Sequence, residues 1–342
     1  MTKIDIISGF LGAGKTTFIK KMLEEVFSGE KVVLVENEYG EVGIDGGFLK
    51  DAGIEIKELN SGCICCSLVG DFNRSLNEVI ETYHPDRILI EPSGVGKLSD
   101  VMSSVKDMEK DHDVKLNALV TVVNAMKASK QMKAFGEFFN NQIANATTIV
   151  LSRTQNAKEE KLELCVKEIQ AVNPKAAIIT TPWDAITGEQ ILNVVEQQDS
   201  LMQEMMREYE EHHHEHHHDH EHEHHHDHDH GEGCTCGCHD HEHHHHDRDA
   251  DEVFTSWGKE TPHKYTKEKI ESILKIFCDT EDYGSILRAK GMVPAEDGTW
   301  IYFDMVPGEY ELRDGEPDYT GRLCVIGTNI DEHKLEELFE LN

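Results

Sequence analysis

The sequence has little basic charge to set against its acidic residues. Over 342 residues, 33 lysines and arginines face 66 aspartates and glutamates, a formal net charge of -33. A surface of that sign repels phosphate backbones, which argues against nucleic acid as the main partner. Long apolar runs are also missing. No stretch reaches the ~20 residues of a membrane-spanning helix. The opening MTKIDIISGFLGAGK ends its short apolar run in glycines and a lysine, unlike a secretory leader. Hydrophobic residues make up only 38 %, because one histidine run dilutes them. These absences predict a cytoplasmic protein with no membrane partner. Thiols stay reduced in the cytoplasm, so the nine cysteines read as metal ligands or core residues rather than disulfides.

What is present divides into three parts. In residues 1–200, short apolar runs alternate with helical patterns. Strands are expected at Ile4–Ser8, Val32–Glu36, Ile54–Leu59, Arg87–Glu91, Leu116–Val123, Thr148–Ser152 and Ala176–Thr180. Helices are expected between them, for example at Thr16–Phe27, Leu68–Tyr83 and Glu159–Val172, and from Gly188 to about Glu211. The alternation predicts an α/β fold with a mostly parallel sheet, helices on both faces and ligands at the strands' carboxyl ends. Residues 201–252 hold the end of that last helix and a tract of His, Asp, Glu and Cys, expected to be disordered without metal. Residues 253–342 form a small α+β domain. Its expected helices are Tyr265–Phe277 and Asp331–Leu341, the latter capped by Asp331, and its expected strands are Ile286–Val293, Trp300–Met305 and Leu323–Gly327.

The first chemical signal is GFLGAGKT, Gly9 to Thr16, which matches G-x-x-x-x-G-K-[ST] between a strand and a helix. The loop Gly9, Gly12, Ala13, Gly14, Lys15, Thr16 and Thr17 can wrap phosphates with backbone N–H groups at a helix N-terminus. Lys15 is expected at the β and γ phosphates and Thr16 at Mg²⁺. In RILIEPSG, Glu91 ends an apolar strand and fits a Mg²⁺-holding carboxylate, while Gly94 fits a γ-phosphate sensor. A carboxylate that merely ends a strand at the surface is the bland reading. Where many GTPases carry N-K-x-D to read guanine, this chain has Ser152, Arg153, Thr154 and Gln155. An aspartate there would accept two hydrogen bonds, whereas a glutamine offers one carbonyl oxygen and a donor. GTP and ATP both stay open on these residues.

NSGCICCS places Cys63, Cys65 and Cys66 within four residues on a glycine-led turn, where three thiolates can converge on a borderline metal such as Zn²⁺. Small buried residues at a strand end are the alternative. Taken together, SGFLGAGKTT, ENEYGEVGID, NSGCICCS and ILIEPSG resemble the CobW-like family of P-loop GTPases, and SILRAKGMV and RLCVIG resemble its C-terminal domain. The resemblance implies a nucleoside triphosphatase that hydrolyses GTP with Mg²⁺. It implies a metal, Zn²⁺ or Co²⁺/Ni²⁺, held at C-x-C-C and delivered to a client metalloprotein. Glu36 and Glu41 match positions linked to metal or switching in that family. Storage of metal under nucleotide control, ATP-dependent activation of a corrinoid or other metalloenzyme, and assembly into a homo-oligomer stay open.

The tract between His212 and His246, with His230, Cys234, Cys236 and Cys238 inside it, holds most of the 23 histidines. Imidazoles and carboxylates are ligands for Zn, Ni, Co and Cu, so many weak, exchangeable metal sites are expected. A solvated spacer is the alternative. Cys165, Cys278 and Cys324 read as core residues, and His112, His263 and His333 as lone histidines in polar surroundings.

Overall fold

The computed structural model describes residues 1–36, 55–58, 69–196 and 255–341. Its larger sheet contains seven parallel strands in the order β3-β2-β4-β1-β5-β6-β7. They are β1 (Thr2–Gly9), β2 (Val32–Glu36), β3 (Glu55–Glu58), β4 (Arg87–Glu91), β5 (Val114–Asn124), β6 (Thr148–Ser152) and β7 (Ala177–Ile179). Side chains alternate across a strand, so both faces are filled. Ile4 and Ile6 of β1, with Ile88 and Ile90 of β4, join one core. Ile7 and Leu89 join the other.

The first core is covered by α2 (Val69–Tyr83), α3 (Leu98–Met108), α4 (Ala128–Ala134), α5 (Gly136–Ala144) and α6 (Glu159–Val172). The second is covered by α1 (Lys15–Glu25) and α7 (Gly188–Val195), which starts in a Thr187–Gln190 capping box. The helix expected to run on to Glu211 lies outside the described residues beyond Glu196.

At the amino-terminal end of this sheet sits a buried charge network. Arg87, 1 % exposed, pairs with Asp5, with Glu30 at 2.7 Å and with Glu196 at 3.2 Å. Its guanidinium lies 4.3 Å from the centre of the Phe27 ring. Burial raises the Asp5 carboxyl above its ordinary range, more than Arg87 and Asn117 lower it.

The second sheet is antiparallel, in the order β11-β10-β9-β12-β8. Its strands are β8 (Thr255–Thr261), β9 (Ser285–Pro294), β10 (Trp300–Val306), β11 (Glu309–Gly315) and β12 (Gly321–Thr328). Helices α8 (Lys267–Asp279) and α9 (Glu332–Leu338) pack on it through Ile270, Leu274 and Leu335, joined by Phe339 just after α9. Two of these strands, β8 and β11, were not expected. Both are edge strands whose sequences, TSWGKET and EYELRDG, hold too few apolar residues to signal one. The helix expected from Tyr265 begins instead at Lys267, capped by the Thr266 hydroxyl. Tyr265 itself is buried, bridges to Ala295 and donates its hydroxyl to the Phe339 carbonyl at 2.7 Å. Asp331 caps α9 as expected. Among the described residues, no helix is long and apolar enough to cross a membrane.

Candidate nucleotide site

The glycine-rich loop leaves β1 at the carboxyl edge of the sheet and enters α1. The backbone φ is 147° at Gly9, 69° at Gly12 and 106° at Gly14, angles that side-chain-bearing residues rarely adopt. At Gly9 there is no room either: a Cβ would lie 2.4 Å from the Val122 carbonyl oxygen. Lys15 is buried, donates from Nζ to the Gly9 carbonyl at 3.0 Å and stands 3.7 Å from a Glu91 carboxylate oxygen. The lysine thus arches back over the loop it follows. Thr16 is partly buried and Thr17 exposed in the first turn of α1.

Strand register brings a second carboxylate to this edge. Glu36, the last residue of β2, is the direct partner of Glu91, the last residue of β4. Beyond Glu91 the chain passes close over the loop: a Cβ on Gly94 would lie 2.9 Å from the Leu11 backbone nitrogen. Gln142, fully buried on α5, pins that passage by donating to the carbonyls of Gly94 at 3.2 Å and Gly96 at 3.0 Å. Gln142 was not among the expected site residues. Only the packing of α5 under the loop gives it this task.

The expected base-reading segment falls beside the loop, with its residues divided. Ser152 is buried and donates from Oγ to the Ala13 carbonyl at 2.6 Å, so its hydroxyl supports the phosphate loop. Arg153 adopts φ 62° and turns the chain into a short 3-10 helix, Thr154–Asn156. Arg153 and Gln155 are exposed there. Trp183, after β7, completes this side. Its ring comes within 3.4 Å of where a Gly14 Cβ would stand, its centre lies 5.6 Å from that of Phe18, and its Nε1 donates to the Leu151 carbonyl at 2.9 Å. Sequence reading missed Trp183; an aromatic in the loop after the last parallel strand was the available signal.

The second domain reaches the same loop. The Tyr319 carbonyl accepts from the backbone N–H groups of Thr180 at 2.9 Å and Thr181 at 3.1 Å, and the Thr180 and Thr320 hydroxyls are 2.9 Å apart. The Thr181 hydroxyl donates to the Asp318 carbonyl. The Tyr319 ring is buried in the core beneath α1 and α7, and its hydroxyl bonds Glu260. Burial holds the Glu260 carboxyl above its ordinary value, more than Tyr319 and Arg322 lower it.

Among the other expected residues, Cys63, Cys65, Cys66, Glu41 and the tract from His212 to His246, including His230, Cys234, Cys236 and Cys238, lie outside the described residues. Burial pushes the Cys165 thiol up to about 12 and the Cys324 thiol up to about 11, so both are protonated core residues. Cys278 is half-buried against the second domain's core.

Comparison with known proteins agrees with this architecture. Residues 3–180 match the CobW/HypB/UreG nucleotide-binding domain, and residues 254–341 match the cobalamin synthesis protein cobW C-terminal domain. Zinc chaperone YeiR of Escherichia coli (strain K12) is 34 % identical over 160 residues, which cover 47 % of this chain and 49 % of that protein. Zinc chaperone YjiA of the same organism is 31 % identical over 188 residues, covering 52 % and 56 %. The chain thus spans about half the length of the curated relatives it matches. The crystal structure of Zn(II)-bound YjiA GTPase from E. coli aligns over 99 % of this chain and 98 % of that one, at 20 % identity and a TM-score of 0.42. With a nucleotide-binding domain at 3–180 and the companion domain at 254–341, the chain belongs to the CobW/HypB/UreG family.

Proposed function

We propose that the protein is a GTP-hydrolysing metallochaperone that binds a zinc-like transition metal and passes it to a client metalloprotein. One observation carries the hydrolase part: Lys15 folds over a glycine loop at the sheet's carboxyl edge, 3.7 Å from Glu91, with Glu36 in register beside it. The positive-φ backbone offers N–H groups to the α and β phosphates. Lys15 exchanges its bond to the Gly9 carbonyl for the β and γ phosphate oxygens, whose developing charge it stabilises. The Thr16 hydroxyl and the Glu91 carboxylate would hold Mg²⁺, which when bound would neutralise phosphate charge. Gly94, held by Gln142, lets its backbone close on the γ-phosphate.

The base is guanine in this reading. Gln155 faces solvent beside the loop, and Arg153 sets the turn that presents it. The two E. coli relatives are named zinc chaperones, and a Schizosaccharomyces pombe relative, 29 % identical over 188 residues, is named zinc-regulated GTPase metalloprotein activator 1. Those names support zinc as cargo and a metalloprotein as client. The cargo ligands are Cys63, Cys65 and Cys66 with a carboxylate such as Glu41, and the histidine tract is a reservoir.

Lys15→Ala tests the assignment. GTP turnover with Mg²⁺ is expected to fall about 100-fold or more, with an unchanged circular dichroism spectrum. Turnover at the original rate in the folded variant would remove the assignment.

A further inference from the structure

His263 read as an isolated histidine in sequence; the fold gives it three carboxylate neighbours. It follows β8, and its Nδ1 lies 2.6 Å from a Glu163 oxygen and 3.9 Å from a Glu159 oxygen. Glu159 and Glu163 stand one turn apart on α6, so both project from one face of that helix. The two carboxylates therefore come from the nucleotide domain and the imidazole from the companion domain. One donor atom from each of the three lies within 4.8 Å of the other two. A tetrahedral shell with bonds of ~2.0–2.2 Å places its donors about 3.3–3.5 Å apart. The Glu163 contact must open by roughly 0.7–0.9 Å and the Glu159 contact close by roughly 0.4–0.6 Å, both within reach of a glutamate rotamer.

The surroundings suit a cation. The other ring nitrogen, Nε2, faces Glu340 at 3.8 Å, and Glu340 is held by Lys269 at 2.5 Å. A carboxylate behind the second ring nitrogen is the arrangement that orients metal-binding histidines. Tyr265 packs edge-on against the imidazole, with ring centres 4.7 Å apart. The Glu159 oxygen nearest Nδ1 also accepts from the Lys264 N–H at 2.9 Å, which holds it beside the ring. A cleft of about 1160 Å³, lined by Glu160, Glu163, His263 and Glu340 among others, opens the cluster to solvent and gives an ion a path in. The positive end of α6 near Glu159 offsets only part of the two full negative charges.

We propose that Glu159, Glu163 and His263 form a divalent transition-metal site that ties the companion domain to α6. One imidazole nitrogen and two carboxylate oxygens suit a borderline ion such as Zn²⁺, with water in the fourth position. The site shares no residue with the cysteine motif or the histidine tract. Metal enters at Nδ1. A neutral imidazole keeps its one proton, now on Nε2 and directed at Glu340; a protonated imidazole releases one proton.

That proton position gives a readout specific to His263. With the Nδ1 proton donated to Glu163, the Nε2 lone pair is free to attack diethyl pyrocarbonate. With metal on Nδ1 the ring has no free lone pair. In the full chain, peptide mass spectrometry should show the His263 carbethoxylation rate falling about tenfold or more on saturation with zinc chloride. The exposed His84 serves as the reference and should keep its rate. Magnesium chloride should give no protection. The double variant E159Q/E163Q should lose the zinc protection, whereas E160Q, altered just outside the set, should keep it. If zinc leaves the wild-type His263 rate unchanged, the cluster holds together by hydrogen bonds and ion pairs alone and the site is overturned. Equal protection in E159Q/E163Q would overturn it as well. Should that double variant fold poorly by circular dichroism, E163Q alone decides, and full protection in it counts against the site.

Discussion

At the residue scale the most exacting position is Arg87. It is almost wholly buried, and its partners Asp5 and Glu196 lie with it at the foot of the sheet. Removing the cation leaves the buried Asp5 carboxyl without its counter-charge, while Glu196 keeps Lys3 at 2.8 Å, and that loss costs more than the lost packing. Arg87→Met is expected to destabilise the fold by about 3–5 kcal/mol near neutral pH. Asp5 already sits above its ordinary range, and loss of Arg87 raises it further. A carboxyl that is raised in the folded state favours folding at pH values low enough to protonate it. The deficit of the variant should therefore shrink as pH falls from 7 toward 5. Urea unfolding of both proteins across that range measures this, and a deficit that grows toward acid would contradict the account.

At the element scale the passage from β4 into α3 is positioned by contact with the glycine loop. Gly94 lies against the Leu11 backbone, and Gln142 on α5 fixes the carbonyls of Gly94 and Gly96. A methyl group at Gly94 would lift the passage from the loop. Gly94→Ala is expected to lower nucleotide turnover by about tenfold to 100-fold, while thermal stability changes little because the loop edge can shift. Stopped-flow binding beside steady-state turnover separates the two effects. Unchanged turnover would mean that the close approach has no part in hydrolysis.

At the scale of the whole molecule, the companion domain is joined to the nucleotide domain through the loop after β7. Tyr319 is buried under α1 and α7 and bonded to Glu260, while its backbone carbonyl accepts from Thr180 and Thr181. Glu260 is raised above its ordinary 4.5 by burial. Its contribution to stability is fully present below about pH 4.5 and is lost as pH rises through the raised value. Glu260→Gln keeps the shape without the charge. The variant should gain stability relative to the parent as pH rises above 4.5. Thermal melts at several pH values test it, and parallel curves for the two proteins would refute it. A second expectation concerns metal distribution. Deleting residues 212–246 should lower metal stoichiometry yet leave a tight, nucleotide-responsive equivalent. Cys65→Ala should keep most of the weak capacity and uncouple metal from turnover. Isothermal titration followed by turnover assays decides between this division and pure storage, in which the deletion would remove the nucleotide-responsive equivalent as well.

The parallel sheet and the phosphate loop follow from the residue pattern alone. Alternating apolar runs can bury two faces only by that arrangement, and a glycine-rich turn between strand and helix has a local geometry set by its own residues. The seven parallel strands were legible for this reason. β8 and β11 were not, because an edge strand needs few apolar residues and leaves a weak pattern. Residue roles set by approach from elsewhere in the chain were also out of reach. Ser152 lies within the stretch expected to read the base, yet its hydroxyl supports Ala13, because β6 ends beneath the loop. Gln142 is an unremarkable glutamine until α5 buries it against the Gly94 carbonyl. His263 is separated from Glu163 by 100 positions, and no spacing rule links them. Only the docking of β8 beside α6 brings that imidazole to two carboxylates, since contacts between distant segments depend on how the elements pack rather than on the pattern within any one of them.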